Sequence, residues 1–501
     1  MSAHDLDVIL LVGSGVLILA VLAVRLSVGV GLPSLLMYLG LGVLIGYDGA
    51  GVQFADANLA LMLGLSALIL ILAEGGLTTN WSQMRPSLGL GVLLATVGTS
   101  LSVIIVAAGA HWIFGLEWEL AVLIAAVLSP TDAAAVFSVL RSVPLKSRVS
   151  GVLEAESGLN DAPIVVLVTA ISVGEIGHYG ATGFFALVVY ELVIGALLGL
   201  LVGAGGAKLL RRAALPAAGL YPLVVFAMTV LAYALAATIH ASGFAAVYVA
   251  AVVLGNTELP HRSATRSFVE GIGWLAQIGL FVMLGLLVHP SDIQAWHIGA
   301  GVGIGALLTF VARPASVAAC TAWFRVGWRE QLFISWAGLR GAVPIVLATI
   351  PLANGVSHSI DLFNTTFVAV VVYTIIQAGP LGRLARWCGV ETDRGREVEI
   401  DAAPLERVSA DLLQIRVPPT SRLAGVEVGE LRLPRGASVT MVVRDDSTFV
   451  PHRTSRILVG DDLLIVTTRD LREQVERRLR SVARHGRLAG WDQDPRTRRS
   501  D

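Results

Sequence analysis

Residues 151–168 read GVLEAESGLNDAPIVVLV, an apolar run that nonetheless carries Glu154, Glu156, Asn160 and Asp161. In a bilayer such groups are costly and mark function by default. Glu156 and Asn160 stand four apart, as do Ser157 and Asp161, so the four share one broad helix face. Two further runs place charge at the same depth. ELAVLIAAVLSPTDAAAVFSVL (119–140) has Asp132 about halfway along, and QLFISWAGLRGAVPIVLATI (331–350) has Arg340 about ten residues in. Two acids and one base therefore converge near mid-bilayer from three segments. Each segment also holds helix breakers: Pro130, then Gly158 and Pro163, then Gly338, Gly341 and Pro344. All three are expected to break at the midplane, freeing carbonyls and helix ends of the kind from which secondary transporters build ion sites. Charges that pair only to hold a bundle together are the weaker alternative, because apolar packing does that at lower cost.

The remainder of the chain fits a membrane setting. Of 501 residues, 55% are hydrophobic and 15% charged, against about 25% charged in soluble domains. Most of the charge lies after residue 390, and a net charge of −1 gives no electrostatic footprint for nucleic acid. Cys320 and Cys388 fit no disulfide or metal spacing. The N-terminal MSAHDLD lacks the basic region of a cleavable signal. No nucleophile–base pair or phosphate loop points to an enzyme. TVGTS at 96–100 lacks the aromatic-Gly of a potassium-channel filter and sits in an unbroken apolar run.

Apolar stretches of spanning length fall near 6–25, 32–47, 58–78, 87–110, 118–140, 151–173 and 182–207. Others fall near 219–239, 242–257, 268–288, 296–324, 330–351 and 362–388. That makes thirteen, with Arg313-Pro314 expected to kink or split the eleventh. Lys and Arg then alternate by side. Odd-numbered spans are followed by Arg25, by Arg85, by Arg141, Lys146 and Arg148, and by Lys208, Arg211 and Arg212. The later ones are followed by Arg262 and Arg266, by Arg325 and Arg329, and by Arg383 and Arg386. The loops after even-numbered spans, from YDGAGVQFADAN to PLANGVSHSID, contain neither residue. The positive-inside rule therefore puts the N-terminus outside and the C-terminus in the cytoplasm.

A dehydrated K⁺ or Na⁺ needs several oxygen ligands and one balancing charge. Asp161 supplies the charge. Thr131, Ser157 and freed carbonyls of the fifth span supply neutral oxygens. Asn160 is expected to orient the Asp161 carboxylate, and Glu156 to pair with Arg340 as scaffold. Glu154 reads as an entrance or interface charge and Glu74 as structural. Arg313 either snorkels or lines a cytoplasmic funnel.

SPTDAAAVF, ESGLNDAP and AGLRGAVP, in this order on spans five, six and twelve, resemble the monovalent cation:proton antiporters of the NhaP/NHE type. The likeness covers about residues 6–388. It implies an all-α polytopic membrane fold of the NhaA/NhaP kind, with inverted repeats, broken midplane helices, a homodimer and elevator-like alternating access. It also implies that Asp161 binds cation and proton in turn, that Thr131, Ser157 and Glu156 line the site, and that Asp132 offsets helix dipoles while Arg340 pairs with Glu156. The Asn-Asp pair, Asn160-Asp161, marks electroneutral members.

After residue 390 the composition changes. ETDRGREVEIDAAP (391–404) reads as a charged linker and 485–501 as a disordered tail. Between them, alternating strands DLLQIRVPP, ASVTMVVRDD and DDLLIVTT precede the amphipathic LREQVERRLRSV. This order over 405–484 is similar to a small cytoplasmic α+β RCK_C (TrkA_C) domain, without the nucleotide-binding partner that often precedes it. Such domains dimerise, and some bind nucleotides or cyclic dinucleotides. His452 and Arg453, in VPHRT, are candidate phosphate contacts, or simply an exposed turn. The resulting expectation is a K⁺/H⁺ antiporter of the CvrA-like branch in the cell's inner membrane, with residues 1–390 spanning it and no bound cofactor. A Na⁺/H⁺ exchanger and an RCK-gated cation channel are the alternatives.

Overall fold

A computed structural model describes residues 3–30, 33–140, 143–174, 176–213, 215–392, 400–405, 410–445 and 447–486. Arg141 and nearly all of the expected disordered tail lie outside this set. The chain divides after Glu391 into two compact units.

The first unit is helical. Its elements are α1 (Ala3–Val30), α2 (Ser34–Ile45), α3 (Ala57–Thr78), α4 (Trp81–Phe114), α5 (Trp118–Leu128), α6 (Ala133–Val139), α7 (Ser147–Ser172) and α8 (Ile176–Arg212). They continue as α9 (Leu220–Thr238), α10 (Gly243–Gly255), α11 (Arg262–Leu287), α12 (Ala295–Thr321), α13 (Trp328–Trp336), α14 (Val343–Ala353) and α15 (Ser359–Cys388). Polar side chains start several of them: Asp56 caps α3 by accepting from Leu59 N–H at 3.0 Å, and Ser242 caps α10 from Ala245 N–H at 3.3 Å. Among the described residues, seven helices are long and apolar enough to cross a membrane, within α3, α4, α8, α9, α11, α12 and α15. Helices α2, α5, α10 and α14 are apolar but shorter.

Two of the expected breaks occur and one does not. The fifth segment is interrupted between α5 and α6, and the twelfth between α13 and α14. The sixth, α7, runs unbroken through Gly158 with Pro163 inside it. Gly158 serves packing instead: a Cβ there would overlap the Tyr248 ring of α10. Arg313-Pro314 does not split α12 either. The turn before it, Leu308–Ala312, is widened to a π turn, so Pro314 opens the next α segment, where its missing N–H is tolerated.

These irregularities recur seven segments apart, counting α5–α6 and α13–α14 as one segment each. The second and ninth, α2 and α10, are 12 and 13 residues long. The fourth and eleventh, α4 and α12, each contain a π turn, at Leu94–Gly98 and Leu308–Ala312. The fifth and twelfth are the interrupted pair. Packing sorts the helices into two groups, α1–α3 with α8–α11 and α4–α7 with α12–α15.

The second unit is an antiparallel sheet in the order β1-β2-β5-β3-β4, closed by α16 (Arg472–His485). Its strands are β1 (Ile400–Leu405), β2 (Ala410–Arg416), β3 (Ala437–Arg444), β4 (Ser447–Phe449) and β5 (Asp462–Thr468). β1, from the end of the segment read as linker, pairs as an edge strand with β2. Leu413, Ile415, Leu463 and Ile465 alternate inward on β2 and β5 and meet Val475, Leu479 and Val482 of α16. Buried Asp461 is held by Arg444, whose Nε and Nη2 donate to its two oxygens at 2.7 and 2.8 Å, and by Leu458 N–H at 2.7 Å. Burial alone would raise this carboxyl; the Arg444 and Leu458 donors outweigh it and hold it below the usual carboxylate range.

Candidate functional site

The two interrupted segments cross at their breaks. Asp132 caps α6, its carboxylate accepting from Ala135 N–H at 3.1 Å. Its own N–H donates to the Leu339 carbonyl at 2.8 Å, which joins the α5–α6 break to the α13–α14 break. Gly341 lies so close to Asp132 that a Cβ there would overlap the carboxylate. Arg340 is buried at the same crossing. Its Nε donates to the Leu128 carbonyl at 3.2 Å and its Nη1 to the Gly338 carbonyl. Thr374 Oγ1 donates to the Arg340 carbonyl at 3.0 Å. A carboxylate thus stands at the new N-terminus and a guanidinium at the new C-terminus, each opposite in sign to the local helix dipole.

Glu156 pairs with Arg313, not with Arg340 as equal depth in the membrane predicts. Arg313 Nη2 donates to Glu156 Oε2 at 2.8 Å and Nη1 to Oε1, and both residues are buried. The physical reason lies at the break: two of Arg340's donors already serve carbonyls freed there. Arg313 neither snorkels nor lines a funnel.

Asn160 does not orient Asp161. Its Nδ2 donates to Thr131 Oγ1 at 3.0 Å, tying α7 to the break. Ser157 Oγ accepts from Ala133 N–H at 3.1 Å, the first N–H of α6. Asp161 is left over. It is buried, and its Oδ1 has no hydrogen-bond partner among the described residues.

A cavity of about 740 Å³ lies between the two helix groups and reaches this carboxylate. Thr131, Asp132, Ser157 and Asp161 line it; Glu156, Asn160 and Arg340 do not. It extends past Glu154 and Glu74 to Thr78, Arg266 and Glu270, at the side where α3 ends and where α7 and α11 begin. Glu74, read from sequence as structural, is one of the residues that line this cavity. Its depth near a span end looked bland, but Gly273 of α11 lets it approach: a Cβ at Gly273 would come within 2.7 Å of Glu74 Cγ. The cavity therefore offers an oxygen-rich, acid-lined path to a buried carboxylate, which suits a small cation.

Residues 15–387 match the family described as sodium/hydrogen exchanger, transmembrane. The chain belongs to the sodium/hydrogen exchanger family. Residues 412–480 match the TrkA-C domain. Among relatives of this sodium/hydrogen exchanger chain, the K⁺/H⁺ antiporter NhaP of Alkalimonas amylolytica is 33% identical over 476 residues, covering 93% of this chain and 82% of that protein. The K⁺/H⁺ antiporter NhaP2 of Shewanella oneidensis is 33% identical over 477 residues, with the same coverage. These relatives are transporters, not enzymes. The sodium proton antiporter MjNhaP1 of Methanocaldococcus jannaschii has the same fold, with a TM-score of 0.66 at 22% identity over 76% of this chain and 99% of its own.

In the TrkA-C unit, His452 and Arg453 lie on an exposed turn. The turn is held through its backbone: His452 N–H donates to Ser455 Oγ at 2.9 Å, and Gly429 N–H to the Arg453 carbonyl at 2.7 Å.

Proposed function

We propose that the chain is an electroneutral antiporter exchanging K⁺ for H⁺ across the cell's inner membrane, with Asp161 binding cation and proton in turn. The observation that carries this is the Asp161 carboxylate, unpartnered at Oδ1 and reached by an acid-lined cavity. Thr131 and Ser157 contribute neutral oxygens beside it, and Glu74 waits on the cation's path. The neighbouring Asn160 does not titrate, and Glu156 is committed to Arg313. One titrating carboxylate then serves two competing ligands, so each half-cycle carries one charge.

Thirteen spans, an outside N-terminus and a cytoplasmic C-terminus follow from the alternation of Lys and Arg. The seven-segment recurrence supports an inverted repeat, since partners an odd number of spans apart run oppositely. Alternating access is movement of the α4–α7 and α12–α15 group, which holds Asp161, against the group that holds Glu74. The homodimer rests on the family likeness. The TrkA-C unit regulates transport, with a nucleotide or cyclic dinucleotide as candidate ligand.

Potassium is favoured because relatives named K⁺/H⁺ antiporters align over 93% of the chain, TrkA-C unit included. Sodium is the second reading, favoured by the Na⁺/H⁺ antiporter NhaH of Halobacillus dabanensis, 30% identical over 62% of the chain and 78% of its own length. Cation-driven proton flux in proteoliposomes, compared for K⁺, Na⁺ and Li⁺, tests both. Proton flux driven by K⁺ is expected; conductance uncoupled from protons contradicts antiport and revives a channel.

A further inference from the structure

The cavity is unevenly charged. Glu74, Asp132, Glu154, Asp161 and Glu270 line it, against one base, Arg266, among the described lining residues. Arg266 sits at the mouth. Its Nε lies 3.0 Å from Glu270 Oε1 one turn further along α11, and the two side chains are 61% and 44% exposed. An ion pair so exposed contributes little to folding. Its position gives it another consequence. Clefts lined by one sign of charge concentrate counter-ions, and Arg266 is the group that limits that effect here. The charges around it are Glu270 and Arg262, one turn to either side on its own helix, Glu74 from α3, and Glu154, Asp132 and Asp161 across the cavity. Arg262 does not line the cavity and donates to the Gly255 carbonyl at 2.8 Å, and α2 and α9, packed on α11, carry no charge.

We propose that Arg266, balanced by Glu270, is a charge gate that sets the apparent cation affinity of the cytoplasm-facing state without contacting the ion at Asp161. The inference rests on the antiport reading above and adds a determinant outside the binding site. Two consequences separate it from a structural role. The mouth field concentrates cations and protons by the same factor. Where protons scarcely compete, a more negative mouth lowers the cation KM by that factor. Where protons dominate, both competitors gain equally and KM stays put. The second consequence is sidedness. Arg266 and Glu270 belong to the α1–α3 and α8–α11 group, while Asp161 belongs to the other. When the Asp161 group faces outward, the gate is left behind, so the external KM is untouched.

The test uses the full-length chain in membrane vesicles of defined orientation, with K⁺ (or Na⁺, whichever the wild type transports) titrated from either side. Wild type, Arg266→Gln, Glu270→Gln and the double variant are compared. Arg266→Gln is expected to lower the cytoplasmic KM about two- to five-fold at alkaline pH and low ionic strength, with maximal rate unchanged. Glu270→Gln raises it by a similar factor, and the double variant returns close to wild type. The differences vanish at acid pH, at about 0.5 M of an impermeant salt, and from the external side. An unchanged KM for Arg266→Gln at alkaline pH and low salt overturns the gate, as does a changed KM that persists at high salt. Wild-type vesicles without cation-driven proton flux overturn the antiport reading instead.

Discussion

Arg313 of α12 holds Glu156 of α7 through both terminal guanidinium nitrogens, with Nη2 at 2.8 Å from Oε2, and neither side chain is more than 3% exposed. The pair joins two helices of the group that carries Asp161 and removes one acid from the count of groups that bind the transported ion. Breaking a buried pair from one side leaves an uncompensated charge, at a cost of about 3–5 kcal/mol. Arg313→Ala is therefore expected to lower the melting temperature in detergent sharply, and Glu156→Gln added to it restores much of the loss. Arg340→Ala gains much less from Glu156→Gln, because its hydrogen bonds go to the Leu128 and Gly338 carbonyls. Equal rescue of both arginine variants contradicts the pairing.

The crossing of the breaks gives a second prediction. Gly341 leaves room for the Asp132 carboxylate that caps α6. Gly341→Ala forces that carboxylate away, and overpacking of this kind costs about 1–3 kcal/mol. Transport should fall at least tenfold while membrane insertion is retained. Gly355→Ala, far from the crossing in open space but at positive φ (67°), is expected to lower stability without a comparable loss of rate. Undiminished exchange in Gly341→Ala contradicts the crossing.

Much of this was legible beforehand. SPTD, SGLND and GLRG announced polar groups at mid-span, and the Lys and Arg pattern ordered the spans around them. The two real breaks fell at Pro130 and at the Gly338–Pro344 stretch. Pro163 misled, because a proline well inside a long helix is tolerated when neighbours pack around it, as they do on α7. The choice between Arg313 and Arg340 was not legible. Depth along a helix is readable from sequence, but azimuth is not, and the π turn at Leu308–Ala312 shifts the azimuth of Arg313. The place of Glu74 on the cavity wall was not legible for a related reason: it depends on Gly273 of a helix about two hundred residues away, a proximity no local pattern records.

The TrkA-C unit has an acid-sensitive anchor in Asp461. Its carboxyl is held below the usual range in the folded chain, so it binds fewer protons folded than unfolded. The stabilisation is fully present above the unfolded value of about 3.9 and is lost as pH falls through the lowered folded value. Asp461→Asn should make residues 410–486 more susceptible to limited proteolysis at neutral pH, with the difference from wild type closing only in strong acid. A difference that closes near pH 6 contradicts this assignment.

The regulation proposed for that unit is expected to be separable from exchange. Lys146 N–H donates to the Val390 carbonyl at 2.8 Å, and Leu145 pairs with Glu391 in an isolated bridge, so the first unit uses the chain to its boundary. Truncation after Glu391 is expected to keep cation-driven proton flux and remove its response to added nucleotides. A truncated chain that inserts and folds yet exchanges nothing contradicts the division.

Asp161 is the one carboxylate proposed to take cation and proton in turn, and that double role is open to experiment. It is tested most directly by proton flux in proteoliposomes driven by a K⁺ gradient at zero initial pH gradient, with and without an imposed membrane potential, for wild type and Asp161→Asn. Wild-type flux is predicted to be present and indifferent to the potential, because one charge crosses in each half-cycle. Asp161→Asn is predicted to show none, although it folds, since the amide neither titrates nor balances a cation. Full flux in Asp161→Asn contradicts the site, and wild-type flux that follows the imposed potential contradicts one-for-one exchange.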